Sequence, residues 1–259
     1  MIKIKTPEQI KIMQTGGKML GDTVWEVCAA IKPGMTEIEV DALADKLIAE
    51  KGGEAGFKKV EGYHHATCIS TNEIVVHGIP SPRVLKDGDI IGIDCGVFYK
   101  GFHTDMSETV RVRDQRSEIR DRKFDDVGKF LKVGKQALEA GIAKAKVGNH
   151  VGDISKAIQD IVEVQNGYSV VRSLVGHGVG KELHEDPEIP GYLQGKIEKT
   201  PPLKEGMVIA VEVIYNMGGP DLAFANNDGW TLQSKDGSLA GLFERTLAIT
   251  ANGPQILTP

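Results

Sequence analysis

Ionisable side chains interrupt apolar, β-type runs at five places, and this constrains the chain more than any other feature. Asp94 lies in Ile90-Ile91-Gly92-Ile93-Asp94-Cys95-Gly96-Val97, and Asp105 in Gly101-Phe102-His103-Thr104-Asp105. His177 lies in Val175-Gly176-His177-Gly178-Val179-Gly180. Glu212 lies in Val208-Ile209-Ala210-Val211-Glu212-Val213-Ile214, and Glu244 in Leu242-Phe243-Glu244-Arg245-Thr246-Leu247. A carboxylate in such a run is costly to bury unless it is paired or bound to a cation. Any one of them alone is equally well explained by a partly exposed strand position or a buried ion pair. Four carboxylates and a histidine are harder to dismiss. Their repulsion needs compensation, too few basic residues share these runs, and divalent metal ions supply it directly.

The donor chemistry narrows the metal. The set is oxygen-rich, with one imidazole and no thiolate, which disfavours structural zinc. Four carboxylates can bridge two ions roughly 3.5 to 4 Å apart, as in co-catalytic sites. Mn²⁺, Fe²⁺, Co²⁺ and Zn²⁺ all suit such a pair. The chain has no HExxH, so it is not a helix-borne single-zinc peptidase.

The surrounding pattern is mixed. Thr6, followed by Glu8 and Gln9, caps a helix through Ile10, Met13, Leu20, Val24 and Val27, which Pro33-Gly34 stops. Thr36 caps a second helix carrying Val40, Leu43 and Leu47, ended by Gly52-Gly53. Two apolar runs, Ile90 to Val97 and Phe102 to Val112, flank Tyr99-Lys100-Gly101 as a hairpin. Helical periodicity returns from Ser117 to Lys146 and from Val151 to Val164. Strand patterns then occupy Val208 to Tyr215, Trp230 to Gln233 and Leu239 to Ile249. Counted from Gly34 and from Gly148, equal offsets give Val40, Leu43 and Leu47, then Ile154, Ala157 and Ile161. The echo fits an α+β fold of two related halves, although two amphipathic helices can match by chance. No low-complexity linker separates the halves, so residues 1–259 read as a single domain.

Charge and composition exclude some classes. A formal net charge of −5 argues against a general nucleic-acid binder, and no specific DNA partner is expected. No stretch approaches the roughly 18 to 20 apolar residues of a membrane span. Met1 to Gln14 lacks the apolar core of a secretory signal. Cys28, Cys68 and Cys95 form no CxxC pair, which suits a reducing cytoplasm.

The ordered set Asp94, Asp105, His177, Glu212 and Glu244 resembles the metal-binding set of the methionine aminopeptidases. The likeness includes Cys68-Ile69-Ser70, Val76-His77-Gly78-Ile79-Pro80, Gly176-His177-Gly178-Val179-Gly180, Leu183-His184-Glu185 and Asp228-Gly229-Trp230-Thr231. The short stretch between His184 and Glu212 leaves no room for the insertion of the type II enzymes, so the chain resembles type I. The resemblance implies the pita-bread fold, with two pseudo-symmetric halves and a central curved antiparallel sheet flanked by helices. It implies two divalent ions (Co, Mn, Fe or Zn) held by the five residues, with Asp105 and Glu244 bridging. It makes Glu212 the general base, and it places His77 and His184 at the scissile peptide. It lines the methionine pocket with Tyr63, Cys68, Leu183 and Trp230, with His77 at the rim. Without it, His64, His65, His77 and His103 rank equally.

The chain departs from that pattern at Leu174, Leu183, Gly191, Val213, Leu242 and Arg245, none of them a ligand or catalytic histidine. Arg245 alternates with Glu244 along a strand, so it is expected on the opposite face as a surface or interface residue. The alternatives are an X-Pro aminopeptidase or dipeptidase of the same fold, and a non-catalytic peptide-binding member. The activity implied is removal of the initiator methionine from nascent polypeptide N-termini, with a small second residue preferred, by a cytoplasmic monomer. Contact with the ribosome near the tunnel exit is assigned to the basic stretch Arg111 to Lys135, whose blander reading is a solvated helix face.

Overall fold

The computed structural model describes residues 1–113 and 125–259. Helix α1 spans Pro7–Ala30 and α2 spans Glu37–Glu50. Both begin with the reciprocal capping boxes expected from Thr6/Gln9 and Thr36/Glu39, which satisfy two otherwise orphaned N–H groups at each start. Strands β1 (Glu54–Ala55), β2 (Thr67–Thr71), β3 (Ile74–Val76), β4 (Ile90–Tyr99) and β5 (Phe102–Arg111) follow. Helices α3 (Asp126–Lys144) and α4 (Val151–Gln159) open the second half. Strands β6 (Ser169–Val170), β7 (Gly176–Gly178), β8 (Glu185–Ile189) and β9 (Val208–Asn216) come next. Strands β10 (Leu222–Phe224), β11 (Leu232–Ser234), β12 (Ala240–Thr250) and β13 (Gly253–Ile256) complete the chain.

The main sheet runs β1-β4-β5-β12-β9-β7-β8, with β2 also on β4, β6 on β9 and β13 on β12. Its pairings are antiparallel, and β5 and β12 meet at the centre. Helices α1 and α2 back the half containing β4 and β5; α3 and α4 back the half containing β9 and β12. The halves repeat in detail. Gly34 and Gly148 both turn at φ 92°, a conformation L side chains rarely adopt, just ahead of α2 and α4. The N-cap residues of those helices, Thr36 and His150, each form an isolated bridge, to Val84 and Pro202. This is the pita-bread architecture: a mixed fold of helices around an open antiparallel sheet.

Strand alternation sorts the sheet into two faces. Ile93, Cys95, Val97, Met106, Val211, Val213, Tyr215, Phe243 and Leu247 are buried in the clusters beneath the helices. Asp94, Asp105, Glu212 and Glu244 alternate with them and so share the other face. The β4–β5 turn is tighter than expected. Lys100 (φ 46°) and Gly101 (φ 86°) form a two-residue turn of the primed kind that matches strand twist.

Several expectations shift in detail. The strand expected from Trp230 begins at Leu232, because the Asp228 carboxylate accepts from the N–H groups of Trp230 and Thr231 and holds them in a turn. The helix expected to end at Val164 widens into a π-helical turn over Asp160–Gln165, where Asn166 donates to the Ile161 carbonyl. Of the basic stretch Arg111 to Lys135, residues 114–124 lie outside the described residues, as does the expected helix start at Ser117. Arg111 pairs with Asp125 at 2.7 Å and Lys135 with Glu108 at 2.6 Å.

Arg245 does point away from Glu244, but it is not a surface residue. Its guanidinium pairs with buried Glu108 at 2.8 Å, donates to the Ser107 and Glu244 carbonyls, and lies over the Trp25 ring. Helix α1 covers this face of the sheet, so an outward side chain finds protein there instead of water.

Candidate metal and peptide site

Strand register builds the site in two rows. Cys68 lies opposite Asp94, Asp94 opposite Ser107, Ser107 opposite Glu244, and Glu244 opposite Glu212. One step along, Gly96 faces Asp105 and Ala210 faces His177. Between them the Thr246 hydroxyl accepts from the Asp105 N–H and donates to its carbonyl, at 2.9 and 2.7 Å. Five strands thus deliver the five predicted ligands to one cavity, which all five line.

Asp105, His177 and Glu244 are buried, with ligand atoms within 4.8 Å of one another. His177 Nε2 lies 3.9 Å from Asp105 Oδ2 and 3.9 Å from Glu244 Oε1. The Nδ1–H of His177 donates to the Gly178 carbonyl at 2.9 Å, which leaves Nε2 as a free electron pair facing those carboxylates. Asp94 Oδ1 and Glu244 Oε1 are buried with no hydrogen-bond partner among the described residues.

These donors fit a divalent cation. Burial pushes Asp94 up to about 7 and Glu212, also repelled by Asp94, up to about 8. Burial, then neighbouring carboxylates, also raise Asp105 and Glu244 well above the usual carboxylate range. Burial, with His184 nearby, lowers His177 to about 4, so its imidazole is neutral at neutral pH. A cluster in this state must take up protons or a cation, and an imidazole held neutral is the ligand form.

The predicted substrate residues reach the same cavity. Tyr63, Cys68, His77, Leu183, His184 and Trp230 all line it. Tyr63, Cys68 and Leu183 are buried against Phe57, with Trp230, Val60 and Ile79 packed beside them. Tyr63 and Trp230 meet edge to face with centroids 5.2 Å apart, and the Tyr63 hydroxyl donates to the Thr67 carbonyl at 2.7 Å. Burial, then Asp94, raise the Cys68 thiol, so it stays protonated and apolar as a pocket wall.

His77 and His184 stand over the cluster. The His184 ring meets that of His177 edge to face at 4.4 Å, and desolvation lowers both His77 and His184. His77 has φ 56°, and a Cβ on the next residue, Gly78, would lie 1.9 Å from the Ile69 carbonyl oxygen. Only glycine fits there, and this close approach aims His77. His103 lies tilted against Phe98, and His65 pairs with Asp41 and meets the Tyr63 ring edge to face; neither lines the cavity. Phe57 and Val60 also line the cavity without being expected there; they sit in or beside a short helical turn with no periodicity to reveal them. The departures Leu174 and Leu242 line the cavity with Val76 and Ile214.

A buried carboxylate–imidazole cluster beneath an apolar side-chain pocket defines a metal-dependent peptidase. Residues 11–251 match the model of metallopeptidase family M24. The chain is 41% identical over 258 residues to the methionine aminopeptidase of Clostridium perfringens, covering 100% of this chain and 99% of that protein. It is 43% identical over 258 residues to methionine aminopeptidase 1 of Bacillus subtilis, with coverage of 100% and 99%. The crystal structure of methionine aminopeptidase from Thermotoga maritima superposes with TM-score 0.91 at 40% identity, covering 100% of this chain and 99% of that one. The prolidase of Pyrococcus furiosus superposes with TM-score 0.75 at 25% identity, and only 65% of its chain is covered, so the X-Pro reading is not favoured. The chain belongs to metallopeptidase family M24, and within it to the methionine aminopeptidases.

Proposed function

We propose that residues 1–259 form one catalytic domain that removes the initiator methionine from nascent polypeptides, preferring a small second residue. The observation that carries this reading is a carboxylate–imidazole cluster and an apolar aromatic pocket sharing one cavity. Asp94, Asp105, His177, Glu212 and Glu244 would hold two divalent ions of the Mn, Fe, Co or Zn kind. Such ions, when bound, lower the pKa of water and polarise a carbonyl. Glu212, partly open to the cavity, takes the attacking water's proton as general base. His184 donates a hydrogen bond to the carbonyl oxygen as charge develops there, and His77 serves the leaving nitrogen. Tyr63, Cys68, Leu183 and Trp230 enclose the methionine side chain, with His77 at the rim, and the two rings suit contact with a thioether.

The same proposal makes the protein a cytoplasmic monomer that meets its substrates at the ribosomal tunnel exit. No helix among the described residues is long and apolar enough to cross a membrane. Among the described residues of the basic stretch, Lys129 and Lys132 are exposed on α3 and are candidates for the ribosome contact. Lys129→Glu with Lys132→Glu should weaken co-sedimentation with ribosomes, and unchanged sedimentation removes that part.

The decisive experiment is hydrolysis of Met-Ala-Ser and Ala-Pro-Ser by metal-free protein reloaded separately with Mn²⁺, Fe²⁺, Co²⁺ or Zn²⁺. Release of methionine from the first peptide alone supports the proposal and identifies the usable metals. Cleavage of the second peptide instead transfers the chain to X-Pro chemistry. Cleavage of neither, with metal bound, makes it a peptide-binding member of the fold.

A further inference from the structure

Behind the loop that carries Leu183 and His184 lies an ion pair that the chemistry above does not use. Lys5 Nζ sits 2.8 Å from Glu185 Oε2, and the two side chains are 4% and 2% exposed. Lys5 belongs to the extended segment ahead of α1, and its backbone N–H donates to the Gly206 carbonyl at 2.8 Å, in the turn leading to β9. Lys5 Nζ also donates to the Lys3 carbonyl at 3.2 Å, and Lys3 Nζ reaches the other Glu185 oxygen at 3.2 Å. The pair packs so closely on Gly180 that a Cβ there would lie 2.7 Å from Lys5 Cε and 2.8 Å from Glu185 Oε1.

Burying such a pair does not by itself stabilise a fold. Two apolar residues of similar volume often do as well or better, because desolvating both charges offsets their attraction. What the pair contributes here is geometry. Glu185 opens β8, directly opposite Gly178, the residue after His177. Its Oε1 also accepts from the Glu182 N–H at 3.3 Å, which closes the loop 182–185 around its own carboxylate. Leu183 and His184 are the two residues inside that closure. Side chains alternate at a strand start, so a Glu185 carboxylate drawn back onto Lys5 turns the neighbouring His184 forward into the cavity. Lys5 is the buried cation of this arrangement, with the more exposed Lys3 on the other oxygen, and it is itself tied to the turn that precedes the Glu212 strand.

We propose that Lys5 is a positioning residue for His184, acting through the Glu185 carboxylate and the loop 182–185. It touches neither substrate nor metal. Its effect is to fix the angle from which His184 meets the scissile carbonyl. The inference rests on the peptidase reading above.

The test uses the full-length, metal-loaded protein and three variants, with Met-Ala-Ser as substrate. Turnover by the unaltered protein is the control: if it releases no methionine, the functional reading itself fails and Lys5 is not at issue. With that control active, Lys5→Met should lower kcat by about 10- to 100-fold, because small misplacements of a catalytic group cost that much. KM and bound metal content should stay close to those of the unaltered protein. Lys5→Arg, which can still pair with the carboxylate, should keep most of kcat. The double variant Lys5→Met with Glu185→Leu removes both charges, so it should recover the melting temperature lost in Lys5→Met but not the turnover. Recovery of kcat together with melting temperature would overturn the proposal, because the pair would then be structural only. Loss of metal content in parallel with kcat in Lys5→Met would also overturn it, since the effect would then run through the ligands. If Lys5→Met alone fails to fold, the double variant and Lys5→Arg carry the same comparison.

Discussion

Glu212 and Glu244 lie directly opposite each other on β9 and β12, two carboxylates in register across neighbouring strands. Both are pushed above the ordinary carboxylate range, so at neutral pH the metal-free fold must hold protons there that the unfolded chain releases, and this costs stability. No folding argument favours this pairing; a bound cation does. Glu244→Gln, which has no proton to hold, should therefore raise the melting temperature of the metal-free protein by a few degrees. The same change should abolish turnover and lower metal content. Calorimetry with and without EDTA checks the first part, and metal analysis the second. A lower melting temperature without metal would show that Glu244 is held by protein partners instead.

The raised carboxylates also set a pH dependence for the metal-free protein. Asp94 and Glu212 titrate at about 7 and about 8 in the fold, and near the ordinary carboxylate range when unfolded. Between those limits the native state holds more protons than the unfolded one, so stability falls as pH rises through the folded values. His177 and His103, both lowered to about 4, act oppositely: their unfolded forms gain protons below the ordinary histidine value of about 6.5. His77 and His184, also lowered, act the same way, and as pH rises beyond that value the histidines become neutral in both states while the carboxylates dominate. Urea denaturation in EDTA should thus show stability declining from pH 6.5 to beyond pH 8, and metal should reverse the decline. A flat or rising profile over that window would contradict the raised carboxylates.

The five candidate ligands stand out in the sequence as ionisable residues inside strand-like segments, most sharply Asp94 and Glu212, whose neighbours on both sides are apolar. The helix starts were legible because Thr6 with Gln9 and Thr36 with Glu39 carry their capping chemistry locally. The approach of His77 and His184 to the cluster was not legible from pattern. Both sit in loops, and their positions depend on a positive φ, a glycine with no room for a Cβ, and contacts far along the chain. Only the family resemblance separated them from His64, His65 and His103. The fate of Arg245 was half legible. Alternation gives its face, but nothing local says that Trp25, more than two hundred residues earlier, lies over its guanidinium.

The aromatic wall should matter for binding more than for the chemical step. Trp230 packs on Tyr63 at the edge of the pocket, held by the Asp228 carboxylate through its own N–H and that of Thr231. Removing the indole exposes apolar surface worth about 1.5 to 3 kcal/mol. Trp230→Ala should accordingly raise KM for Met-Ala-Ser by roughly 10- to 100-fold with a smaller change in kcat. Steady-state kinetics over a range of peptide concentrations decide it. A fall in kcat at constant KM would instead link Trp230 to the reacting atoms.

The Glu108–Arg245 pair behind the sheet makes a prediction of the opposite kind, about stability rather than turnover. Glu108 is buried on β5 and is held by Arg245 at 2.8 Å and by the half-exposed Lys135 at 2.6 Å. Arg245 Nη1 also donates to the carbonyls of Ser107 and Glu244, joining β5 to β12 beneath the cluster. Breaking a buried pair leaves a charge uncompensated and typically costs about 3 to 5 kcal/mol. Lys135 remains as a second partner, so Arg245→Met should cost less, about 1 to 3 kcal/mol. Adding Glu108→Leu removes the stranded carboxylate and frees Lys135 to extend into solvent, so the double variant should regain most of that loss. Urea denaturation of both variants in the metal-free form reads the difference. If the double variant is no more stable than Arg245→Met alone, the cost lies in the lost backbone contacts and Trp25 packing rather than in the charge left on Glu108.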